Sequence, residues 1–241
     1  MLNADNKSHN CKLNSNWLPM TNKTGILILI ALLACIVYSC KKMNADLPPD
    51  TGEPALMNVV NATADTLNIF QNGNRFNYSS SFYPGGSLGY LLVLAGEHQY
   101  QLKKDGKPDV LLNLPMALDT DGVYSFFITG NTTDRVFLTK DVFLTNNDIE
   151  IRFVNSSPGQ RFDIKIGGNF SYNNLGFKTV TGFVKMTAGK NHYELYQTGN
   201  PVPIAQGDIT LAEQRVYTLF TKGTATGTGD NALGVKLITN R

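Results

Sequence analysis

From Pro54 to the end of the chain, apolar residues come in short runs that alternate with polar ones and break at Asn, Thr and Gly. "TLNIFQNG" alternates into a Gly turn. "RFDIKIGG" does the same and puts Phe162, Ile164 and Ile166 on one face of an extended segment. "ALMNVVN" and "IEIRFVN" read as opening strands. "GYLLVLAGEHQYQL" and "GFVKMTAGKNHYEL" read as hairpins with the Ala-Gly pair in the turn. "VYSFFITG" and "VYTLFTKG" are the most apolar of the later runs, which predicts central strands. Roughly seven strands in about 95 residues, with turns every 8 to 12, is the pattern of a β-sandwich.

That pattern occurs twice. "AGEHQYQL" matches "AGKNHYEL" and "GVYSFFITG" matches "RVYTLFTKG" without a gap, and the paired tyrosines, Tyr100 with Tyr193 and Tyr124 with Tyr217, stand at one constant offset. Upstream, "NVVNATADTLNIFQNGN" resembles "RFVNSSPGQRFDIKIGGN" with one extra residue, and "RVFLTKD" and "GVKLITN" close the two copies. Blocks in one order and at nearly one spacing predict a duplicated domain. The expected fold class is all-β: two tandem sandwiches over residues 54–144 and 145–241. Neither copy contains a cysteine, and cores of about 90 residues can stand without a disulfide.

The chain ahead of the repeats has a different texture. "GILILIALLACIVY", Gly25 to Tyr38, is fourteen residues without charge. As a helix it would span roughly 21 Å, short of the ~30 Å hydrocarbon core, so a transmembrane anchor is the weaker reading. A signal-peptide apolar region has about this length, with Lys23 supplying the positive flank. All three cysteines precede residue 41, and the apolar run ends twice in a small residue followed by cysteine, as "LLAC" at Cys35 and "VYSC" at Cys40. Both resemble the bacterial lipobox, where cleavage falls just before an acylated cysteine. Cys40 uses the whole apolar run and is followed at once by Lys41 and Lys42; the ending "SCKK" is similar to many lipoproteins of the Bacteroidota. Cys40 is therefore the expected anchor and Cys35 the alternative. The expected layout is a lipoprotein signal peptide over 1–39 and a Pro-rich tether over 40–53. Translation is expected to start at Met20, the alternative being a long n-region. The two or three acyl chains such a cysteine carries make attachment effectively permanent, where one chain is marginal. The partner this implies is the membrane, and the location is the outer membrane of a cell envelope, facing either the periplasm or the exterior.

Composition narrows the function. Charged residues are 17% of the chain and the net charge is +2, with no dense basic cluster in the repeats, so no nucleic-acid partner is expected. The hydrophobic fraction of 42% is ample for packed cores.

Each copy resembles the bacterial family known as domain of unknown function 4397. The likeness rests on "NVVNATAD" and "RFVNSSPG", on "LNIFQNG" and "FDIKIGG", on the two Ala-Gly blocks, and on "VYSFFITG" and "VYTLFTKG". The resemblance implies immunoglobulin-like or transthyretin-like sandwiches on secreted or lipid-anchored proteins, and supplies no catalytic residue.

Candidate chemistry is sparse. His98 and His192 sit in matching segments but one position apart, hence on opposite faces of a strand, and no Cys/His cluster remains to bind zinc. "DTDG", Asp119 to Gly122, lacks the longer series and distal Glu of a calcium loop and reads as a polar turn. "GTATGTGDN", Gly223 to Asn231, lacks the Lys-Ser/Thr ending of a phosphate loop and reads as a flexible hairpin loop. No cofactor, metal or catalytic set is expected, so the protein is not read as an enzyme. One stretch suits a ligand: "NRFNYSSSFYPGGSLGY" gathers Phe76, Tyr78, Phe82, Tyr83 and Tyr90 among amides and hydroxyls, as a sugar-binding face would, the alternative being core and edge aromatics. Non-catalytic binding or scaffolding is the expected role. A glycan-binding lipoprotein of a nutrient-uptake system and a fimbrial subunit or adhesin are the alternatives, with a glycan or a protein as partner. Replacing Cys40→Ser is expected to release the protein or leave an uncleaved precursor, read by metabolic lipid labelling and membrane fractionation; unchanged labelling would move the anchor to Cys35.

Overall fold

A computed structural model describes residues 52–78, 80–141 and 147–240. The signal-peptide segment 1–39 with Cys35, the anchor candidate Cys40, and the tether through residue 51 lie outside the described residues, as does the expected boundary at 144 and 145.

The first half contains β1 (Pro54–Asn61), β2 (Leu67–Gln71), β3 (Asn74–Arg75), β4 (Ser87–Leu94), β5 (Gly96–Lys104), β6 (Val110–Leu118), β7 (Val123–Ile128) and β8 (Val136–Lys140). They form two four-stranded sheets in the orders β4-β1-β7-β8 and β3-β2-β5-β6. The second half contains β9 (Glu150–Val154), β10 (Phe162–Ile166), β11 (Phe170–Leu175), β12 (Val184–Lys185), β13 (Gly189–Gln197), β14 (Pro203–Leu211), β15 (Val216–Lys222) and β16 (Gly234–Thr239). Its sheets run β12-β9-β15-β16 and β11-β10-β13-β14, the same orders strand for strand. Even the unusual pairing is repeated: β1 runs parallel to β7, and β9 parallel to β15, while the other pairs are antiparallel. Two tandem β-sandwiches are thus the architecture.

Alternation explains each sandwich core. Met57 and Val59 on β1, Ile69 on β2, Tyr100 and Leu102 on β5, and Phe126 and Ile128 on β7 point between the first two sheets. Phe153, Phe162, Ile164, Ile166, Leu195 and Leu219 do so in the second. The motif tyrosines cap these cores in one way: the Tyr124 hydroxyl accepts the Asp119 N–H at 3.0 Å and the Tyr217 hydroxyl accepts the Ala212 N–H at 2.9 Å, each five residues upstream. The motif asparagines also share a role. Asn61 donates its amide to the carbonyls of Asp65 and Phe82 and accepts the Thr63 N–H; Asn155 donates to those of Gln160 and Leu175 and accepts the Ser157 N–H. Each pins the end of its opening strand to the chain crossing over the core.

The Ala-Gly segments depart from expectation. They are not hairpins: β4 pairs with β1 in one sheet while β5 pairs with β2 and β6 in the other, so Ala95-Gly96 carries the chain across the sandwich. The second copy repeats the crossing between β12 and β13. Gly96 and Gly189 take φ of +93° and +96°, a left-handed conformation that side chains resist, and this bend turns the chain out of its first sheet.

The strands β1, β7, β9 and β15 are buried on both faces, because the inner sheets of the two sandwiches pack against each other. Val60, Ala62 and Phe127 from the first meet Val154, Phe220 and Ile238 from the second in a third apolar core. Phe127 and Phe220, which hold matching positions in the two copies, touch edge to face at 6.1 Å. Burying one such ring contributes about 1.5–3 kcal/mol.

Beside this apolar patch lies a charge pair. Arg152 on β9 donates to the Asp141 carboxylate at 2.6 Å, to the Ser125 hydroxyl at 3.2 Å and to the Thr218 hydroxyl at 2.9 Å, and its guanidinium lies 4.8 Å from the Phe183 ring centre. The other Asp141 oxygen accepts the hydroxyls of Tyr90 and Ser125, both at 2.6 Å. Side-chain exposure is 3% for Arg152 and 1% for Asp141, so the pair is sealed from water. Asn58 occupies the position matching Arg152, since it pairs with Ser125 as Arg152 pairs with Thr218; its buried amide has no hydrogen-bond partner among the described residues.

Two outcomes are expected. Arg152→Met alone strands the Asp141 carboxylate and should cost about 3–5 kcal/mol in urea unfolding, while Arg152→Met with Asp141→Leu should recover most of that loss. Burial, reinforced by the Asp141 carboxylate, pushes the Tyr90 phenol well above its usual value. Its contribution is therefore complete below about pH 10, the unfolded phenol value, and is lost as pH rises further. Urea midpoints should fall as pH rises above about 10, and fall less steeply in Tyr90→Phe.

Candidate functional site

At the far end of β1 from Pro54, two turns of the first sandwich converge. One follows β1 and contains Thr63, Ala64 and Asp65; the other follows β7 and contains Thr129, Gly130 and Asn131. Between them opens a cleft of about 350 Å³, floored by Leu67, Leu102 and Leu111 of the outer sheet and overhung by Asn231 of the second sandwich. The Asp65 carboxylate on its rim lies 2.5 Å from the Lys104 ammonium. The volume is at the lower end of the ~300–1,000 Å³ of small-molecule sites.

Asn231 belongs to the Gly-rich segment expected to be a flexible loop. It does join the last two strands, β15 and β16, but it is folded on itself. Thr224 exchanges backbone hydrogen bonds with Asn231 and Leu233, Gly227 donates to Thr224, and Asn231 donates to Thr228. Gly223 has φ of +68°, and a side chain there would collide with the Ala232 carbonyl. Its N–H points to the Ala62 carbonyl of the first sandwich at 3.4 Å, which fixes the base of the loop beside the cleft.

The aromatic stretch does not present one face. Phe82 is buried in the first core and pairs by backbone with Leu67. Phe76 packs on the same core, 6.3 Å from the Tyr100 ring. Tyr90 points the other way and joins the buried Asp141 network. Tyr78 and Tyr83 alone of the five stand open, at 82% and 64% exposure. A binding surface drawn from this stretch thus reduces to two tyrosines on the segment between β3 and β4. The cleft was not legible beforehand, because its lining comes from separate turns with no shared motif.

The remaining candidates are held in local structure. His98 follows the inward face of Tyr100 and is bound by Asn72 and the Ala95 carbonyl; His192 lies on the outward face and is bound by Asp208. The one-position shift therefore separates them as expected. The Lys190 ammonium and His192 hold the Asp208 carboxyl below the usual range. Asp119 is likewise held low by Lys140 and the Tyr124 hydroxyl, which ties "DTDG" into a polar turn closed by Gly122 N–H to the Asp119 carbonyl. Among the described residues no three His, Cys, Asp or Glu side chains gather as a metal site requires. The Ser125 and Tyr90 hydroxyls both lie 2.6 Å from the buried Asp141 carboxylate, inside the sealed interface.

A second hollow of about 240 Å³, mostly apolar, lies at the opposite end of β1, lined by Pro54, Ala55, Leu56, Leu92, Asp121 and Val123. The chain enters the first sandwich here.

Residues 149–241, the second sandwich, match the family model described as domain of unknown function (DUF4397). No curated protein matches the chain in sequence. Among solved structures, the carbohydrate-binding module CBMbc (family CBM26) from Eubacterium rectale, in complex with maltoheptaose, aligns over 76% of this chain and 95% of its own, at 11% identity and a TM-score of 0.25. A protein from Bacteroides eggerthii described as a cell adhesion protein aligns over 78% and 96%, at 9% identity and a TM-score of 0.19. Likenesses this slight carry no argument about what this chain binds.

Proposed function

We propose that this protein is a lipid-anchored component of a bacterial cell envelope that binds or scaffolds rather than catalyses. One observation supports the reading: residues 52 and 53 lead into β1 at its Pro54 end, and the loop-end cleft lies past the Asn61 end of the same strand. Eight residues of strand separate the two ends by roughly 25 Å. An anchor at Cys40 therefore holds the protein by one end and presents the other. The third core makes the two sandwiches one body, so whatever binds at the far end is held by a firm mount.

A saccharide is the ligand class favoured by the aliphatic floor of the cleft and by the amides on its rim, where the one carboxylate, Asp65, is paired with Lys104. Assembly by strand exchange is less favoured. Each sandwich completes both its sheets with its own strands, and the edge strands β6 and β14 carry Pro115 and Pro203, which offer no N–H to an added strand.

With Cys40 acylated, the mature chain has no free thiol, so single cysteines can report on orientation. In protein reconstituted into phospholipid vesicles that contain a lipid-borne quencher, a fluorophore at Glu53→Cys is expected to be quenched and one at Asn131→Cys is not. Equal quenching at the two positions would refute the end-on mount.

A further inference from the structure

We propose that the loop-end cleft of the first sandwich is a site for a neutral saccharide of one or two rings, held by the side-chain amides of Asn131 and Asn231. The inference rests on the binding role proposed above and adds to it a place and a ligand chemistry.

The floor of the cleft is aliphatic, with Leu67 and Leu102 almost fully buried and Leu111 half-buried. Such a floor suits the C–H face of a pyranose ring. Apart from the Asp65 carboxylate, which Lys104 pairs, the rim is amide and hydroxyl. Neither Asn131 nor Asn231 spends its side chain on another described residue, so each amide offers a donor and an acceptor together, the pairing that adjacent sugar hydroxyls present. The Thr63 hydroxyl is used up within its turn, where it donates to Asn61 Oδ1 at 2.7 Å and accepts the Asp65 N–H at 3.1 Å. Thr63 therefore shapes the wall, and the two asparagines choose the ligand.

Charge excludes the alternatives. An anion would meet the Asp65 carboxylate and find no unpaired cation on the lining. A cation would have to displace the Lys104 ammonium from its 2.5 Å contact with Asp65. A purely apolar ligand would cover both amides without pairing them, at a cost that water does not impose.

The site also explains the two halves being fixed together. Asn131 comes from the first sandwich and Asn231 from the second, so the pair exists only while Gly223 and its loop stay docked beside Ala62.

The test is calorimetric titration of the full-length lipoprotein in detergent. The probes are mono- to tetrasaccharides of the gluco, manno, galacto and xylo series, with uronic acids of the same series in parallel. At least one neutral saccharide is expected to bind. Asn131→Ala and Asn231→Ala should each weaken it about 3- to 10-fold, and the double variant more than either. Both asparagines are exposed, so urea midpoints should stay at the parent value, and Tyr78→Ala with Tyr83→Ala should leave affinity unchanged. If a saccharide binds but the asparagine variants keep full affinity, the cleft assignment falls while the binding role stands. Binding of uronic acids alone overturns the neutral ligand class, and no binding by any probe removes both site and saccharide. Conversion of a saccharide to shorter products would overturn the binding role itself.

Discussion

Four strands of this molecule have almost no face left for water. In an ordinary sandwich each strand alternates between a dry side and a wet side, but β1, β7, β9 and β15 must fill both sides with residues that can be buried. Val60, Phe127, Val154 and Phe220 meet that demand in one part of the contact. Beside it the contact is polar, and there buried donors and acceptors need partners, which the Asn58 amide lacks among the described residues. Arg152 and Asp141 find theirs by drawing in Ser125, Thr218 and Tyr90, with Asn240 behind them. A guanidinium is suited to this place because its fork of donors spreads over three acceptors at once. With the inner sheets held so, the loop of the second sandwich reaches the mouth of the first and adds Asn231 to the lining of its cleft.

Much of the fold was legible in the order of residues, because alternation and turn residues report directly on sandwich strands. The repeated blocks located the opening strands, the Gly turns after β2 and β10, and the central position of β7 and β15. The Ala-Gly segments were misread for a physical reason. A hairpin and a crossing both need a bend flanked by apolar runs, and a single chain does not say which sheet the second run will join. What separates them is the partner strand, tens of residues away. The both-sided burial of "VYSFFITG" and "VYTLFTKG" was visible as an excess of apolar residues, yet it pointed only to a central strand. That the covering layer would be the other copy is a property of the folded pair.

The site was less legible than the fold. Aromatic residues crowded into one segment suggested a common surface, but a segment that crosses a sandwich edge sends its side chains to three destinations. Phe82 went to the core, Tyr90 to the interface, and Tyr78 and Tyr83 to solvent. Asn131 and Asn231 gave no signal at all, since asparagine is common along this chain and the two meet only through the packing of distant turns. The charged residues that look most like chemistry, in "DTDG" and around the two histidines, are spent on holding turns and strand edges.

The mismatch of Asn58 with Arg152 has a meaning for how such a pair can arise. Matching residues face one another across the contact, as Phe127 and Phe220 show. Two identical sandwiches meeting in this way would be bound to place like beside like at every position on the pseudo-symmetry axis. Two arginines there would crowd two buried cations together, and two asparagines would leave Asp141 without a counter-charge. Joining both copies in one chain lifts that restriction, because each copy can then change alone. The guanidinium on one side only is an asymmetry that a single chain permits: the contact works as a fixed heterodimer of two halves that share a backbone, and it does not depend on concentration.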